Sequence, residues 1–182
     1  MGRFDPSFGG RIHLVESVAD VQKLQVHEPE RLAFVTQTTL SVDDTAEIVA
    51  ILRRRFPSIQ GPRSEDICYA TSNRQAAVKA IAGRCDALLV IGSPNSSNSL
   101  RLVEVAEREG TKARLVGRGA DLDFGWLEGV RTLGITAGAS APELLVREVV
   151  AALGERFAVT EEPVEGVEER MVFKLPAGLE AA

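Results

Sequence analysis

The sequence predicts an α/β protein built from parallel βα units. Short apolar runs of strand length alternate along the chain with longer segments of helical periodicity. Strands separated by helices at this spacing pair in parallel through right-handed crossovers. In addition, three of the predicted strand-to-helix loops share small hydroxyl and amide side chains, which suggests that one edge of the sheet has a common role.

Capping residues, prolines and glycines mark the ends of the predicted helices. Ser41, three residues before Asp44, resembles a capping box at the start of a long helix, and Pro57 ends that helix. Gly110 and Gly154 are expected to end two later helices, and Ser140 or a neighbour to cap the last of them. The predicted strands are 12–15, 32–36, 87–91, 113–116, 132–136 and 171–175, and the predicted helices are 18–24, 42–56, 72–84, 99–109, 121–127 and 142–153.

Composition limits the classes of function. The chain of 182 residues has a formal net charge of −5 and a sequence pI of about 5.2, which argues against a nucleic-acid partner because such a partner needs a basic face. Two cysteines cannot make a disulfide framework, so a reducing cytoplasm is the expected location. The N-terminus lacks the apolar segment of a signal peptide, and no apolar run approaches a membrane span.

Three loops are candidates for ligand binding. They span residues 36–39 (TQTT), 92–99 (GSPNSSNS) and 136–142 (TAGASAP), and each follows a predicted strand and opens a helix. The start of a helix offers free backbone N–H groups and a partial positive charge, which together with Ser and Asn donors suit a phosphate or diphosphate. The alternative is that these residues only cap helices and form turns, which the same residue types also favour.

Cys68 precedes a predicted helix in the segment DICYAT. A thiol at the start of a helix is favoured as thiolate, which is the form that ligates an iron–sulfur cluster. The alternative is a buried, inert cysteine. Because the chain has no CxxC pair and no histidine cluster, spacing alone does not predict a metal site, and Cys85 is interpreted as a core residue.

Four segments in register resemble the LytB family of 4-hydroxy-3-methylbut-2-enyl diphosphate reductases. The resemblance extends from about Gly10 to Leu175, and it rests on motifs whose order and spacing agree with the family. The motifs are TQTTLSVDDT (Thr36–Thr45), DICYATSNRQ (Asp66–Gln75), GSPNSSNS (Gly92–Ser99) and TAGASAP (Thr136–Pro142).

The resemblance implies a function and a site. The family reduces an allylic diphosphate to isopentenyl and dimethylallyl diphosphate, using a 4Fe–4S cluster held by one cysteine from each of three similar domains and electrons from a ferredoxin or flavodoxin type donor. Cys68 matches the third cluster cysteine, and Thr38, with Thr39 beside it, matches a threonine that faces the substrate's hydroxyl end. The implied diphosphate ligands are Ser96, Ser97, Asn98 and Ser140.

The resemblance also implies a domain division. Two of the family's three domains are expected, the first of them incomplete: a partial second domain at 1–64, the third domain at 65–154 and a tail at 155–182. The family's other two cluster cysteines, its diphosphate-binding histidines and its proton-relay segment have no counterpart, so we expect a truncated chain that begins at an internal methionine and is inactive alone. The rival hypotheses are a non-catalytic remnant or diphosphate-binding module, and an unrelated phosphosugar-binding α/β enzyme.

Overall fold

Three parallel strands form the centre of the fold in the computed structural model, which describes residues 9–62 and 66–164. The strand order is β2-β1-β3, and Ile91 at the end of β1 lies opposite Val116 on one side and Ala137 on the other. The predicted parallel α/β class is therefore confirmed. The elements are α1 (Val18–Lys23), α2 (Val42–Arg55), α3 (Tyr69–Ala82), β1 (Ala87–Ile91), α4 (Ser97–Arg108), β2 (Lys112–Val116), β3 (Leu133–Ala137) and α5 (Glu143–Gly154).

Helices cover both faces of the sheet. Leu88 and Val90 of β1 point into one hydrophobic cluster with α3 and α4, whereas Leu89 and Ile91 point into a second cluster with α5. Every residue of β1 is buried, as expected for the central strand of a sheet covered on both faces. Each fully buried Leu or Ile side chain contributes roughly 1.5–3 kcal/mol of transfer free energy, so this strand anchors both layers.

A third hydrophobic cluster joins α1 to α2. Val21, Leu52 and Phe56 form its buried centre, at 0%, 6% and 7% exposure. The predicted cap of α2 is confirmed, because the Ser41 Oγ accepts a hydrogen bond from the Asp44 N–H at 3.2 Å. This cluster lies within the first of the two predicted domains, and the division at residues 64 and 65 stays a prediction.

Two predicted strands do not form among the described residues. The segment 12–15 has no ladder partner there, and Ile12 and Leu14 are 68% and 60% exposed. The segment 32–36 makes a single parallel bridge, from Ala33 to Gln60, and Val35 is 84% exposed. Both apolar patterns suit strands, but a strand exists only where a neighbouring backbone completes its hydrogen bonds.

The predicted helix at 121–127 is also wrong. A 3-10 turn at Gly119–Asp121 is followed by tight turns, in which the Asp123 carboxylate accepts from the Trp126 N–H at 3.2 Å. An aspartate that takes a nearby backbone donor competes with helix formation. The predicted strand at 171–175 lies outside the described residues. No helix in the described part of the chain is long and apolar enough to cross a membrane.

Candidate functional site

The loops after β1 and β3 meet at the carboxyl edge of the sheet. Ile91 and Ala137 are register partners, and the Gly138 N–H donates to the Ile91 carbonyl at 2.8 Å. The two loops therefore leave the sheet side by side. This edge is where open α/β sheets bind their ligands.

The first turn of α4 is packed tightly between those loops. The helix begins at Ser97 rather than at the predicted residue 99, and Ser96 is its N-cap, accepting from the Ser99 N–H at 3.3 Å and from the Ser99 hydroxyl at 3.0 Å. A side chain at Gly92 or at Gly138 would collide with the Ser99 Oγ. Glycine at both positions lets two loop backbones close around the start of one helix.

Asn98 has an unusual environment. Its side chain is buried, with the residue 5% exposed, yet neither its Oδ1 nor its Nδ2 forms a hydrogen bond with any described residue. The Nδ2 lies 3.7 Å from the position that a Cβ of Gly138 would take, so the amide lies against the loop after β3. Because a buried amide without a partner costs about 1–3 kcal/mol, this side chain is suited to a polar ligand.

Ser97 and Ser140 lie exposed at the same edge. Ser97 occupies the first position of α4, and Ser140 lies in the turn that the Ala141 N–H closes on the Gly138 carbonyl at 2.9 Å. The expectation that Ser140 or a neighbour caps α5 with its side chain is wrong, because the N-cap is Pro142 and no side chain makes the cap hydrogen bond. The Ser140 hydroxyl is consequently not committed to that helix.

Thr38 lies beside Cys68. The Cys68 N–H donates to the Thr38 carbonyl at 3.1 Å, and both residues are exposed. Helix α3 begins at Tyr69 rather than at residue 72, which makes Cys68 its N-cap. The structure thus places Thr38 and Cys68, two site residues predicted from the sequence, next to each other.

Two further residues hold the loop that carries Thr38. The Asp66 carboxylate accepts from the Thr36 N–H at 2.7 Å, and the buried Gln75 side chain bonds the Leu40 carbonyl at 2.9 Å and the Val42 N–H at 3.0 Å. Sequence reasoning did not single out either residue. Gln75 was detectable in principle, because it lies four residues after Thr71 and three before Val78, on a helix face that is otherwise buried.

The second cysteine is unsuited to a metal site with Cys68. Cys85 follows α3 whereas Cys68 precedes it, so the helix separates them by roughly 21 Å. Burial raises the pKa of the Cys85 thiol, which opposes the thiolate form. Over residues 9–62 and 66–164, no three His, Cys, Asp or Glu side chains come together as a metal site. The described residues therefore supply one exposed thiol and not a full ligand set for a cluster.

The start of α4 and a buried amide without a partner lie at the carboxyl edge of a parallel sheet, an arrangement that suits an α/β protein binding an anion there. Comparison with known proteins narrows this class. The LytB protein family matches residues 6–154, and the chain therefore belongs to that family.

Individual relatives agree with this assignment. The 4-hydroxy-3-methylbut-2-enyl diphosphate reductase of Pseudomonas aeruginosa is 58% identical over 179 residues, covering 98% of this chain and 57% of that protein. The protein of the same name from Cereibacter sphaeroides is 63% identical over 168 residues, covering 92% of this chain and 53% of that protein. The chain thus spans little more than half the length of these relatives.

A solved structure resembles the fold as well. The E-1-hydroxy-2-methyl-but-2-enyl-4-diphosphate reductase of Plasmodium falciparum superposes with a TM-score of 0.73 at 42% identity, covering 78% of this chain and 44% of that chain. The parallel sheet and its flanking helices are therefore a family fold.

Proposed function

We propose that this chain binds the diphosphate group of an allylic diphosphate and orients it for reductive dehydroxylation, as part of a 4-hydroxy-3-methylbut-2-enyl diphosphate reductase. The observation that carries the proposal is the buried, unpartnered amide of Asn98 between the loops after β1 and β3. The names of the relatives support the choice of substrate.

The proposed diphosphate site consists of neutral donors. The Ser96 side chain caps the Ser99 N–H, whereas the N–H groups of Ser97 and Asn98 precede every intrahelical acceptor, and the dipole at this end of α4 favours an anion. Asn98 would contribute its amide hydrogens, and exposed Ser97 and Ser140 would add hydroxyl donors from the loops after β1 and β3. Ser96, whose hydroxyl already bonds Ser99, shapes the turn and offers its remaining hydrogen-bonding capacity.

Thr38 and Cys68 are the residues proposed to lie at the hydroxyl end of the substrate, where the reaction takes place. The Thr38 hydroxyl would hold the substrate's hydroxyl group, and Cys68 would be the cluster ligand on this chain. When bound, the 4Fe–4S cluster would supply electrons, taken from a ferredoxin or flavodoxin type donor, and a Lewis-acidic iron. Because the chain has only one suitable cysteine, the other ligands would have to come from polypeptide outside these 182 residues. The truncated start and the cytoplasmic location stay predictions.

Titration of the chain with inorganic pyrophosphate tests the diphosphate site. Asn98→Ala should weaken binding roughly tenfold to hundredfold, the range expected for hydrogen bonds to a charged group. Asn95→Ala is the matched control, because Asn95 lies exposed in the same loop. Equal affinities for the wild-type chain and Asn98→Ala would reject the site.

A diphosphate-binding module without catalysis is the second candidate, favoured by the single exposed cysteine. Anaerobic addition of iron and sulfide distinguishes the two candidates. A stoichiometric cluster absorbance together with turnover by the chain alone would reject the module and our expectation that the isolated chain is inactive. Pyrophosphate binding without a stable cluster would favour the module for the chain in isolation.

A further inference from the structure

Gln75 links the cysteine helix to the loop that carries Thr38. It lies on α3 and is 2% exposed. Its Nε2 donates to the Leu40 carbonyl at 2.9 Å and its Oε1 accepts from the Val42 N–H at 3.0 Å. Both partners belong to a segment more than thirty residues earlier in the chain.

We propose that Gln75 is a positioning residue that sets where the Thr38 hydroxyl stands relative to the diphosphate site, and so allows the site to distinguish a hydroxylated allylic diphosphate from one that ends in a methyl group. This inference rests on the proposed function. It adds a specificity-determining role to a residue that touches neither the proposed cluster nor the proposed diphosphate site.

The geometry favours positioning over simple core filling. A buried amide stabilises a protein only if both of its ends are hydrogen-bonded, and an apolar side chain of similar size would fill the same space at no such cost. Here both ends bond backbone atoms on either side of Ser41, which itself caps α2. Because the amide is planar and rigid, two bonds from one amide fix the orientation of the loop as well as its distance from α3.

The loop that carries Thr38 also makes two hydrogen bonds with the residues that directly precede α3. Thr36 is held by Asp66, and the Thr38 carbonyl is held by the Cys68 N–H. Contacts therefore follow one another from residue 36 to residue 42 against residues 66 to 75. Because hydrogen bonds hold residues 36, 38, 40 and 42, Thr38 has little freedom to move independently of Cys68. Loss of the Gln75 hydrogen bonds would leave residues 40–42 without contact to α3 through this side chain.

The same helix relates the loop to the diphosphate site. Val78 and Ile81 of α3 pack with Leu102 and Val105 of α4 in one cluster, and the start of α4 forms the proposed diphosphate site. Helix α3 thus sets the separation of the two ends of a ligand: Gln75 fixes the hydroxyl end, and the packing against α4 fixes the diphosphate end. A fixed separation favours ligands of one length with a polar group at the far end.

Calorimetric titration of the 182-residue chain with three ligands tests the inference. They are inorganic pyrophosphate, dimethylallyl diphosphate and 4-hydroxy-3-methylbut-2-enyl diphosphate. The wild-type chain should prefer the hydroxylated ligand over dimethylallyl diphosphate by about tenfold, the scale of one hydrogen bond. Gln75→Met should reduce this preference to about twofold or less and change the pyrophosphate affinity by less than about twofold, because the diphosphate site is left intact.

Two comparison variants sharpen the test. Gln75→Glu keeps the acceptor for the Val42 N–H but loses the donor to the Leu40 carbonyl, so it should retain part of the preference. Lys79→Met removes the surface ion pair between Lys79 on α3 and Asp43 on α2. The two charged groups are 2.5 Å apart, and their side chains are 33% and 62% exposed. It should behave as the wild-type chain, since exposed ion pairs contribute little.

Amide hydrogen exchange measures the same coupling without a ligand. Gln75→Met removes the acceptor of the Val42 N–H directly, but Cys68 donates to Thr38 and has no bond to Gln75. If Gln75 positions the whole loop, exchange at the Cys68 N–H should accelerate by about tenfold in Gln75→Met and in Gln75→Glu to a smaller extent. Gln75→Glu also serves if Gln75→Met does not fold.

The outcomes separate the two proposals. Absence of pyrophosphate binding by the wild-type chain rejects the proposed function, and the exchange rates then still decide whether Gln75 positions the loop. An unchanged hydroxyl preference in Gln75→Met, or unchanged Cys68 exchange, overturns the inference. A parallel loss of affinity for all three ligands also overturns it, because it would mean a general structural role.

Discussion

Substitution of Gly92 by alanine should disrupt the diphosphate site from inside the fold. A methyl group on Gly92 would lie 2.8 Å from the Ser99 Cβ and would overlap the Ser99 Oγ. Rotation of the hydroxyl can relieve the second contact but not the first, because a Cβ is fixed to the backbone. The start of α4 must therefore shift, and the hydrogen bond between the Ser99 and Ser96 hydroxyls should break.

The expected cost follows from the size of the overlap. Overpacking of a closed site by one methyl group costs about 1–3 kcal/mol, and a change of 1 kcal/mol moves the melting temperature of a chain of this size by about 2–4 °C. At a cost of about 2 kcal/mol, the middle of that range, we expect Tm to fall by roughly 4–8 °C and the pyrophosphate affinity to fall at least about tenfold. Gly138→Ala should be milder, because its methyl group would lie 3.4 Å from the Ser99 Cβ and would overlap only the hydroxyl.

Gly83→Ala is the matched control for these measurements. Nothing lies within 4 Å of a Cβ at Gly83, and its φ of −66° suits any residue. Alanine there should leave Tm unchanged or raise it, through a gain of about 0.4–1 kcal/mol from the unfolded state. If Gly92→Ala melts with the wild-type chain and binds pyrophosphate equally well, the tight packing around Ser99 does not form the site.

Three further predictions concern reactivity and stability. Exposed Cys68 should react with a thiol reagent at least about tenfold faster than Cys85, whose pKa is raised by burial, and Cys68→Ser should remove the fast phase; a single phase would contradict this. Leu88→Ala should cost about 2–5 kcal/mol in denaturant unfolding, because the side chain is fully buried, and a cost below about 1 kcal/mol would refute the packing. Arg108 donates to both Asp44 oxygens and holds the pKa of that carboxyl below its ordinary 3.8. The ion pair should therefore stabilise the protein above pH 3.8, and this stabilisation should be lost as the pH falls through the lowered pKa. Arg108→Met should therefore lower stability by at most about 1 kcal/mol at pH 7, since both side chains are half exposed, and the difference from wild type should vanish in acid; an equal difference at both pH values would contradict the assignment.

Local signals in the sequence were sufficient for the sheet and its main helices. The buried apolar run of β1 was predicted at its observed bounds, and the Ser41 cap was predicted from two residues three apart. The segments 12–15 and 32–36 carry comparable apolar signals, yet neither forms a full strand among the described residues. The difference is that a strand depends on a partner distant in the chain, which its own residues do not specify.

The order of strands and loops along the chain predicted that three hydroxyl-rich segments would gather at one edge, since parallel strands share their carboxyl ends. The loops after β1 and β3 do so, whereas residues 36–39 follow no strand of this sheet. Only the tertiary structure identified Asn98 as a buried amide without a partner and Gln75 as the link between α3 and the Thr38 loop. Burial and hydrogen-bond partners depend on which segments meet in space. The sequence of one segment determines its helix or strand preference, but it does not determine what its polar side chains will face.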